Sequence, residues 1–482
     1  MRHPSLWLSA VTSISSAALL VSVGAGTPAL GQPVTDAAAT AEIASVDQPN
    51  ILIINLDDLR ATGTLPAMPR VQSYFQQGGR TYTRSYATTP LCSPSRASLF
   101  TGRYGHNNGV TGNGLDAEIA ALDQSAMFQG YLQAAGYNTA MAGKFMNTVP
   151  LSRSPRFWDR WAFTTGGYQN ISYNVNGTVR RISGYYSDVL GNYAISDLNE
   201  FERQDAEPWL LYIAPQAPHS PSIPSSKYAS APVPAWTYPP SFNEADVSDK
   251  PSSVRWRGLL NTSSVEQTRT QHLRTIMSVN DLVGRVVDEI SRLGEDGRTL
   301  AIFTSDNGYM WGEHRIVDKR FPYTESEAVP LLVRWPGHVT PGTVDNRLVS
   351  NVDIMPTLLE AAGVSPQLRY PLDGLSLFSP TPRTQLLIEY GRTLDAPLPP
   401  WASVLTTANQ YTEWYTKDTG ALTAREFYVF GSDPYQLVNL FRDGNAANDP
   451  SIAVWGPRLA ALRGCVGVAC VVTGAGRSAP GR

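Results

Sequence analysis

Three stretches of this 482-residue chain share one pattern: a continuous apolar run that stops at groups able to do chemistry. "ILIINL" (51–56) runs into Asp57 and Asp58, "WLLYIA" (209–214) into the polar loop holding His219, and "LAIFTS" (300–305) into Asp306 and Asn307. Strands that are apolar at consecutive positions need cover on both faces, and helices supply it in parallel sheets. The intervening sequence provides them. "TRTQHLRTIMSVNDLVGRVVDEISRLG" (268–294) is a long amphipathic helix stopped at Gly294, and "YLQAAGYNTAMAGKF" (131–145) reads as a helix end, a glycine cap and a strand. The expected fold is α/β, with a large, mostly parallel sheet sandwiched by helices. From about residue 385 the texture changes to "QLLIEYG", "WASVLTTANQYTEWYT" and "EFYVFGSDPYQLVNL", with a helix near "DPSIAVWGPRLAALRG". These predict a smaller C-terminal antiparallel sheet packed by one helix.

The N-terminus carries a basic start (Met1-Arg2-His3), the apolar stretch "LWLSAVTSISSAALLVSVGAG" and small residues near Ala29–Gly31, the pattern of a cleavable secretory signal. No later run approaches the ~20 apolar residues of a membrane span. The expected organisation is a signal peptide at 1–31, a leader at 32–48, a catalytic domain at 49–384, a small α+β subdomain at 385–465 and a tail at 466–482. The expected location is secreted or otherwise extracytoplasmic, with no membrane span after signal cleavage. A formal charge of −3 without a dense basic run argues against a nucleic-acid partner.

Export raises a question about the three cysteines. Cys465 and Cys470 are close enough to pair in an oxidising compartment, which leaves Cys92 alone. A leftover cysteine is either buried and inert or chemically used. Cys92 opens "CSPSRASLFTG", which reads as a helix start, so its side chain is expected near free backbone N–H groups that favour anions. Arg96 is one helical turn on and within reach of position 92. Ligands bind outside the carboxyl ends of strands in open parallel sheets. Asp57, Asp58, Asp306 and Asn307 converging there would form a hard, oxygen-only site for Ca²⁺ or Mg²⁺. Either acid pair alone would read as a helix cap. Zinc would want histidines, of which the chain has six. Lys144 and Lys319, each in a loop, would singly read as solvated.

Together these pieces resemble the type I sulfatases of the alkaline-phosphatase superfamily. The matching motifs run in family order from 49 to about 440: "NLDD", "LCSPSRASLFTGRY", "GKF", "APHSP", "TSDNGYMWGEH", "DKR" with "VPLLVRWPG", and "DPYQLVNL". The resemblance implies that a formylglycine-generating enzyme oxidises Cys92 to an aldehyde, with Pro94 and Arg96 in its recognition signal. The hydrated aldehyde would attack sulfur, leaving a sulfated enzyme intermediate that its second hydroxyl resolves. By the same resemblance Asp57, Asp58, Asp306, Asn307 and the modified side chain at 92 bind Ca²⁺. Arg96 holds the diol, and Lys144, His219 and Lys319 contact the sulfate. His219 or Lys319 protonates the leaving alcohol, and His314 stands behind these groups.

One position departs from the family. Many sulfatases carry a histidine two residues after the lysine of the "GK" motif; here that place is Met146, followed by Asn147. The base for sulfate elimination must therefore be another group. "GKFMN" is similar to the form in glucosamine-6-sulfatases and their extracellular relatives, which points to a 6-sulfated amino sugar, with an aryl sulfate as the other substrate class. Two alternatives share the scaffold: a phosphonate or phosphodiester hydrolase, and a catalytically silent sulfoglycan-binding protein. Substrate selection is expected from loops 148–190 and 222–260, the second rich in Pro, Ser, Trp and Tyr.

Overall fold

Alternation along a single strand sets the layers. In β1 (Asn50–Leu56), Ile51 and Ile53 enter one core while Leu52, Ile54 and Leu56 enter another on the opposite face, all without solvent exposure. Each such side chain contributes about 1.5–3 kcal/mol of burial. The structure, a computed structural model, describes residues 48–114, 116–203, 207–391 and 398–472. The expected signal peptide, nearly all of the expected leader, and residues 473–482 lie outside these.

Among the described residues up to 350, eleven further strands come after β1: β2 (Arg80–Tyr86), β3 (Asn138–Lys144), β4 (Arg160–Thr164), β5 (Ser172–Val175), β6 (Thr178–Arg181), β7 (Trp209–Ala214), β8 (Thr299–Ser305), β9 (Met310–Trp311), β10 (Val317–Asp318), β11 (Leu331–Arg334) and β12 (Thr343–Ser350). Ten of the twelve form one mixed sheet in the order β12-β2-β11-β8-β1-β7-β3-β4-β5-β6. The central run β8-β1-β7-β3-β4 is parallel throughout. Antiparallel pairs occur only towards the edges, where β11 pairs with β8 and β2, and β5 with β4 and β6. β9 and β10 form a separate two-stranded ribbon.

The long helix Thr262–Leu293 covers one face. The Asn261 side chain caps it by accepting from Ser264 N–H, and Gly294 ends it at φ 86°, where a residue with a Cβ would be strained. The helix Cys92–Thr101 lies on the other face with every residue buried. It has no side-chain cap; Leu91 precedes it in extended conformation.

The small C-terminal sheet is present, with order β13 (Leu386–Tyr390), β14 (Trp401–Leu405), β15 (Asn409–Tyr415) and β16 (Leu422–Val429), antiparallel throughout. Trp401, Trp414 and Tyr411 fill its core with Leu459 and Leu462 of the covering helix Ile452–Arg463. Ordered structure continues past Arg463 through a Cys465–Cys470 disulfide to Val472, whose carbonyl accepts from Thr384 N–H. Buried polar bonds tie the C-terminal part to the segments before it: Gln410 Nε2 donates to Glu327, Tyr323 OH to Glu426, and Lys250 Nζ to the carbonyls of Gln436 and Leu437.

Segment 148–190 differs from the loop expected. Three of its stretches are strands that extend the main sheet, with Asn176-Gly177 as the hairpin turn between β5 and β6. An Asn-Gly pair between alternating residues is a hairpin signal. Among the described residues, no helix is long and apolar enough to cross a membrane.

Candidate active site

Sheet order brings distant residues together. β8, β1, β7 and β3 are neighbours and parallel, so the residues at their carboxyl ends emerge at the same edge: Asp306 and Asn307, Asp57 and Asp58, His219, and Lys144 at the end of β3 itself. Backbone bonds fix the spacing. Asp306 N–H donates to Leu56 O at 3.0 Å and His219 N–H to Asp57 O at 3.1 Å. Asp58 sits at φ 71°, in the left-handed region that aspartate tolerates better than most residues. Its N–H reaches Asp306 Oδ1 at 3.3 Å.

Cys92 opens its helix beside this edge, with no solvent exposure. Its Sγ lies 3.4 Å from Asp57 Oδ1 and accepts from Lys319 Nζ at 2.9 Å. The expected free N–H groups at this helix start are largely absent. Ser93 N–H is taken by Asn113 Oδ1 at 2.8 Å, and Pro94 has none to offer. Lys319 comes directly after β10 and also binds Asp58, while Lys144 Nζ binds Asp57. Arg96 is fully buried. Its Nε donates to Asp306 Oδ2 at 2.7 Å and Nη1 to Lys144 O at 3.0 Å. Nη2, 3.5 Å from Asp57 Oδ2, has no hydrogen-bond partner.

These charges set one another. Burial opposes ionising Asp57, but Lys144, His219, Arg96 and Lys319 together outweigh it and hold the carboxyl far below its usual range. Asp306 is pushed up by burial and by the neighbouring Asp57 charge. Burial also opposes charging His219; Asp57, the Cys92 contact and Asp58 overcome it and lift the imidazole to about 9. His219 is the most open of the cluster, its side chain 29% exposed, with Nε2 3.9 Å from Asp58 Oδ2 and Nδ1 bonded to Ser220 O.

A hard cation fits this donor set. Ligand atoms of Asp57, Asp58, Asp306 and Cys92 lie within 4.8 Å of one another, and the buried Oδ1 of Asn307 has no partner. Oxygen donors predominate, as Ca²⁺ and Mg²⁺ require.

One expected residue, His314, stands elsewhere, and Met146 replaces the family's histidine. His314 bonds none of the cluster; its Nδ1 pairs with Glu244 Oε2 at 2.6 Å and its ring packs on Tyr323. Met146 is buried in the core on the side of the Cys92 helix. Other residues escaped sequence reasoning. His272, on the long helix, accepts the Trp311 indole N–H at its Nδ1 (3.1 Å) and interacts electrostatically with Asp58, His219 and Lys319. Arg60 pairs with the fully buried Glu313 at 2.8 Å. Nothing in "TQHLR" marks its histidine as more than a residue on a helix's packed face.

Comparisons with known proteins identify the family. A family model described as Sulfatase matches residues 49–364. The chain is 33% identical over 348 residues to a Drosophila melanogaster protein named extracellular sulfatase SULF-1 homolog, covering 68% of this chain and 31% of that one. It is 28% identical over 482 residues to the N-acetylglucosamine-6-sulfatase of Capra hircus, covering 88% and 85% respectively. The chain thus spans less than a third of the first relative's length and most of the second's. Among solved structures, a protein in complex with its substrate D-glucosamine-2-N,6-O-disulfate shares the fold with TM-score 0.70 and 23% identity, covering 86% of this chain and 97% of that chain. The phosphonate monoester hydrolase of Agrobacterium radiobacter shares it with TM-score 0.62 and 20% identity, covering 83% and 93%.

Proposed function

The chain belongs to the sulfatase family of sulfuric ester hydrolases, and on that premise we propose that it removes sulfate from a sulfated amino sugar outside the cytoplasm, using an aldehyde made from Cys92. The observation that carries the proposal is the position of Cys92 Sγ, within reach of Asp57 and Lys319 at the edge where the carboxylates of Asp57, Asp58 and Asp306 gather. A thiol with no exposure has no use as a surface nucleophile, whereas the hydrated aldehyde supplies two hydroxyls on one carbon, one to attack sulfur and one to expel sulfate.

The chain's own residues take definite parts. Asp57, Asp58, Asp306 and Asn307 would hold Ca²⁺, or Mg²⁺, with the modified side chain at 92. Such an ion supplies Lewis acidity towards a sulfate oxygen and lowers the pKa of a bound hydroxyl. Arg96 orients Asp306 and Asp57 and has Nη2 free for the modified side chain. Lys144 and Lys319 are held charged by Asp57 and Asp58 despite burial, and would stabilise charge growing on the sulfate. His219, partly open with Nε2 3.9 Å from Asp58 Oδ2, would give a proton to the leaving alcohol.

A 6-sulfated amino sugar is favoured by the "GKFMN" form and by the relative named N-acetylglucosamine-6-sulfatase. Export is supported by the N-terminal signal pattern and by the relative named as extracellular. The fold shared with a phosphonate monoester hydrolase keeps a second reading open, in which the same site cleaves a phosphonate or phosphate ester. Purified protein from a host that forms formylglycine should hydrolyse a chromogenic aryl sulfate and 6-O-sulfated N-acetylglucosamine faster than an aryl phosphate diester. Mass spectrometry of the peptide bearing position 92 should find the aldehyde. Unmodified thiol throughout an active preparation would end the proposal.

A further inference from the structure

The stretch "GKFMN" departs from the family at Met146, and the proposed reaction gives its last residue, Asn147, no part. Its middle residues are anchors. Phe145 and Met146 are buried in the core beside the Cys92 helix, with the Phe145 ring 5.3 Å from that of Phe100. The residues on either side of them hold the start of that helix. Lys144 Nζ binds Asp57, and the Lys144 carbonyl accepts from Arg96 Nη1 at 3.0 Å. Asn147 meets the first turn: its backbone N–H donates to Ser93 Oγ at 2.9 Å, and the Ser93 hydroxyl donates to Asn147 Oδ1 at 3.3 Å.

Ser93 has no solvent exposure and directly follows position 92. Asn113 Oδ1 already takes its N–H at 2.8 Å, which is all that capping this residue requires. The bonds to Asn147 do something else. They tie the Ser93 side chain to the segment that carries Lys144. The backbone at that junction is strained: Thr148 stands at φ 62°, a conformation rare for a β-branched residue, with its Oγ1 donating to the Asn147 carbonyl at 2.7 Å. Such strain persists only where the surroundings impose it, and it clusters at sites of function.

We infer that Ser93 and Asn147 are a positioning pair for the reaction, setting the distance between the nucleophile at 92 and the sulfate held by Lys144. The inference rests on the reading of position 92 as the nucleophile. Attack on sulfur needs the hydroxyl, the sulfur and the leaving oxygen aligned, and a displacement of about 1 Å can cost about 10²-fold in rate. Lys144 ends β3 and Cys92 opens a helix, so nothing within either element fixes one against the other. Arg96 makes one join between them, and Ser93 makes the second, one helical turn nearer the nucleophile. With the first join alone the helix start could pivot about it. Neither Ser93 nor Asn147 bonds Cys92, Lys144 or a metal-binding residue through its side chain, so the pair acts on turnover and leaves affinity alone.

The test compares wild type, Ser93→Ala, Asn147→Ala and the double variant, all made in a host that forms formylglycine. Turnover of p-nitrocatechol sulfate is counted per aldehyde at position 92, read by mass spectrometry, so incomplete maturation does not enter the rates. Ser93→Ala removes both bonds and should lower kcat at least about tenfold, with KM within about twofold of wild type. Asn147→Ala keeps the backbone N–H and should lose at least about threefold. The double variant should be no slower than Ser93→Ala, since the same contact is gone in both. Asn147 is partly exposed, so its variant folds even where the buried serine's does not, and its own split between kcat and KM then decides. A kcat within about 1.5-fold of wild type in Asn147→Ala, a rise in KM alone, or losses that multiply in the double variant would each overturn the inference. A wild type that is active without the aldehyde, or inactive with it, sinks the reading of position 92 first and the inference with it.

Discussion

Protonating His272 should loosen the fold by an amount its surroundings fix. The ring is buried, and its Nδ1 accepts the Trp311 indole N–H, so the neutral form carries its proton on Nε2. Charging it would put an N–H at Nδ1 against a group that can only donate, losing that bond. Burial, opposed only in part by Asp58, holds the folded value down to about 4 from 6.5. Because the folded value is the depressed one, the unfolded chain takes the proton first. The stabilisation is complete above pH 6.5 and is lost as pH falls to about 4. At 1.36 kcal/mol per unit, that gap amounts to about 3 kcal/mol. His272→Gln keeps an oxygen that can accept from Trp311 and removes the titration. Calorimetry of both proteins in steps from pH 7 to 4 should show wild type losing about 3 kcal/mol more than the variant. Other groups titrate in this window, but they are common to both and cancel. Parallel curves would refute the reasoning, as would a ring nitrogen spectrum with the proton on Nδ1 at pH 7.

Arg96→Met leaves Asp306 and Asp57 short of a buried partner and should cost about 3–5 kcal/mol in urea unfolding, along with activity; a loss below about 1 kcal/mol would contradict that pairing. Calcium at a hundred times its Kd should stabilise wild type by about 2.7 kcal/mol, and Asn307→Leu, lacking the unpartnered Oδ1, should lose most of that thermal shift. Replacing Cys465 and Cys470 by serine opens a short loop and should cost about 2 kcal/mol by loop entropy while leaving kcat unchanged, read by urea midpoint and aryl sulfate turnover.

The central strands were legible because consecutive apolar residues admit few readings, and "ILIINL" and "LAIFTS" became adjacent buried strands with their acids at one edge. The long helix was legible through its periodicity and glycine stop. Convergence of Asp57, Cys92, Arg96, Lys144, His219, Asp306 and Lys319 came from motif order, since nothing local in "GKF" or "DKR" says that either lysine turns inward. The edge hairpin β5–β6 was missed because each strand is only four residues long and β6 is exposed throughout, too little for alternation to register. His272 and Arg60 were invisible for a different reason. Their partners, Trp311 and Glu313, lie 39 and 253 residues away, and pairings of that range leave no local pattern.

The helix that begins at Cys92 is sealed along its whole length, from the sulfur to Thr101. Another protein could grip the Cys-x-Pro-Ser-Arg segment only before the chain closes around it. Maturation at position 92 and folding would therefore run against one clock, and a mutation that merely speeds closure would yield a stable, well-formed, inert product.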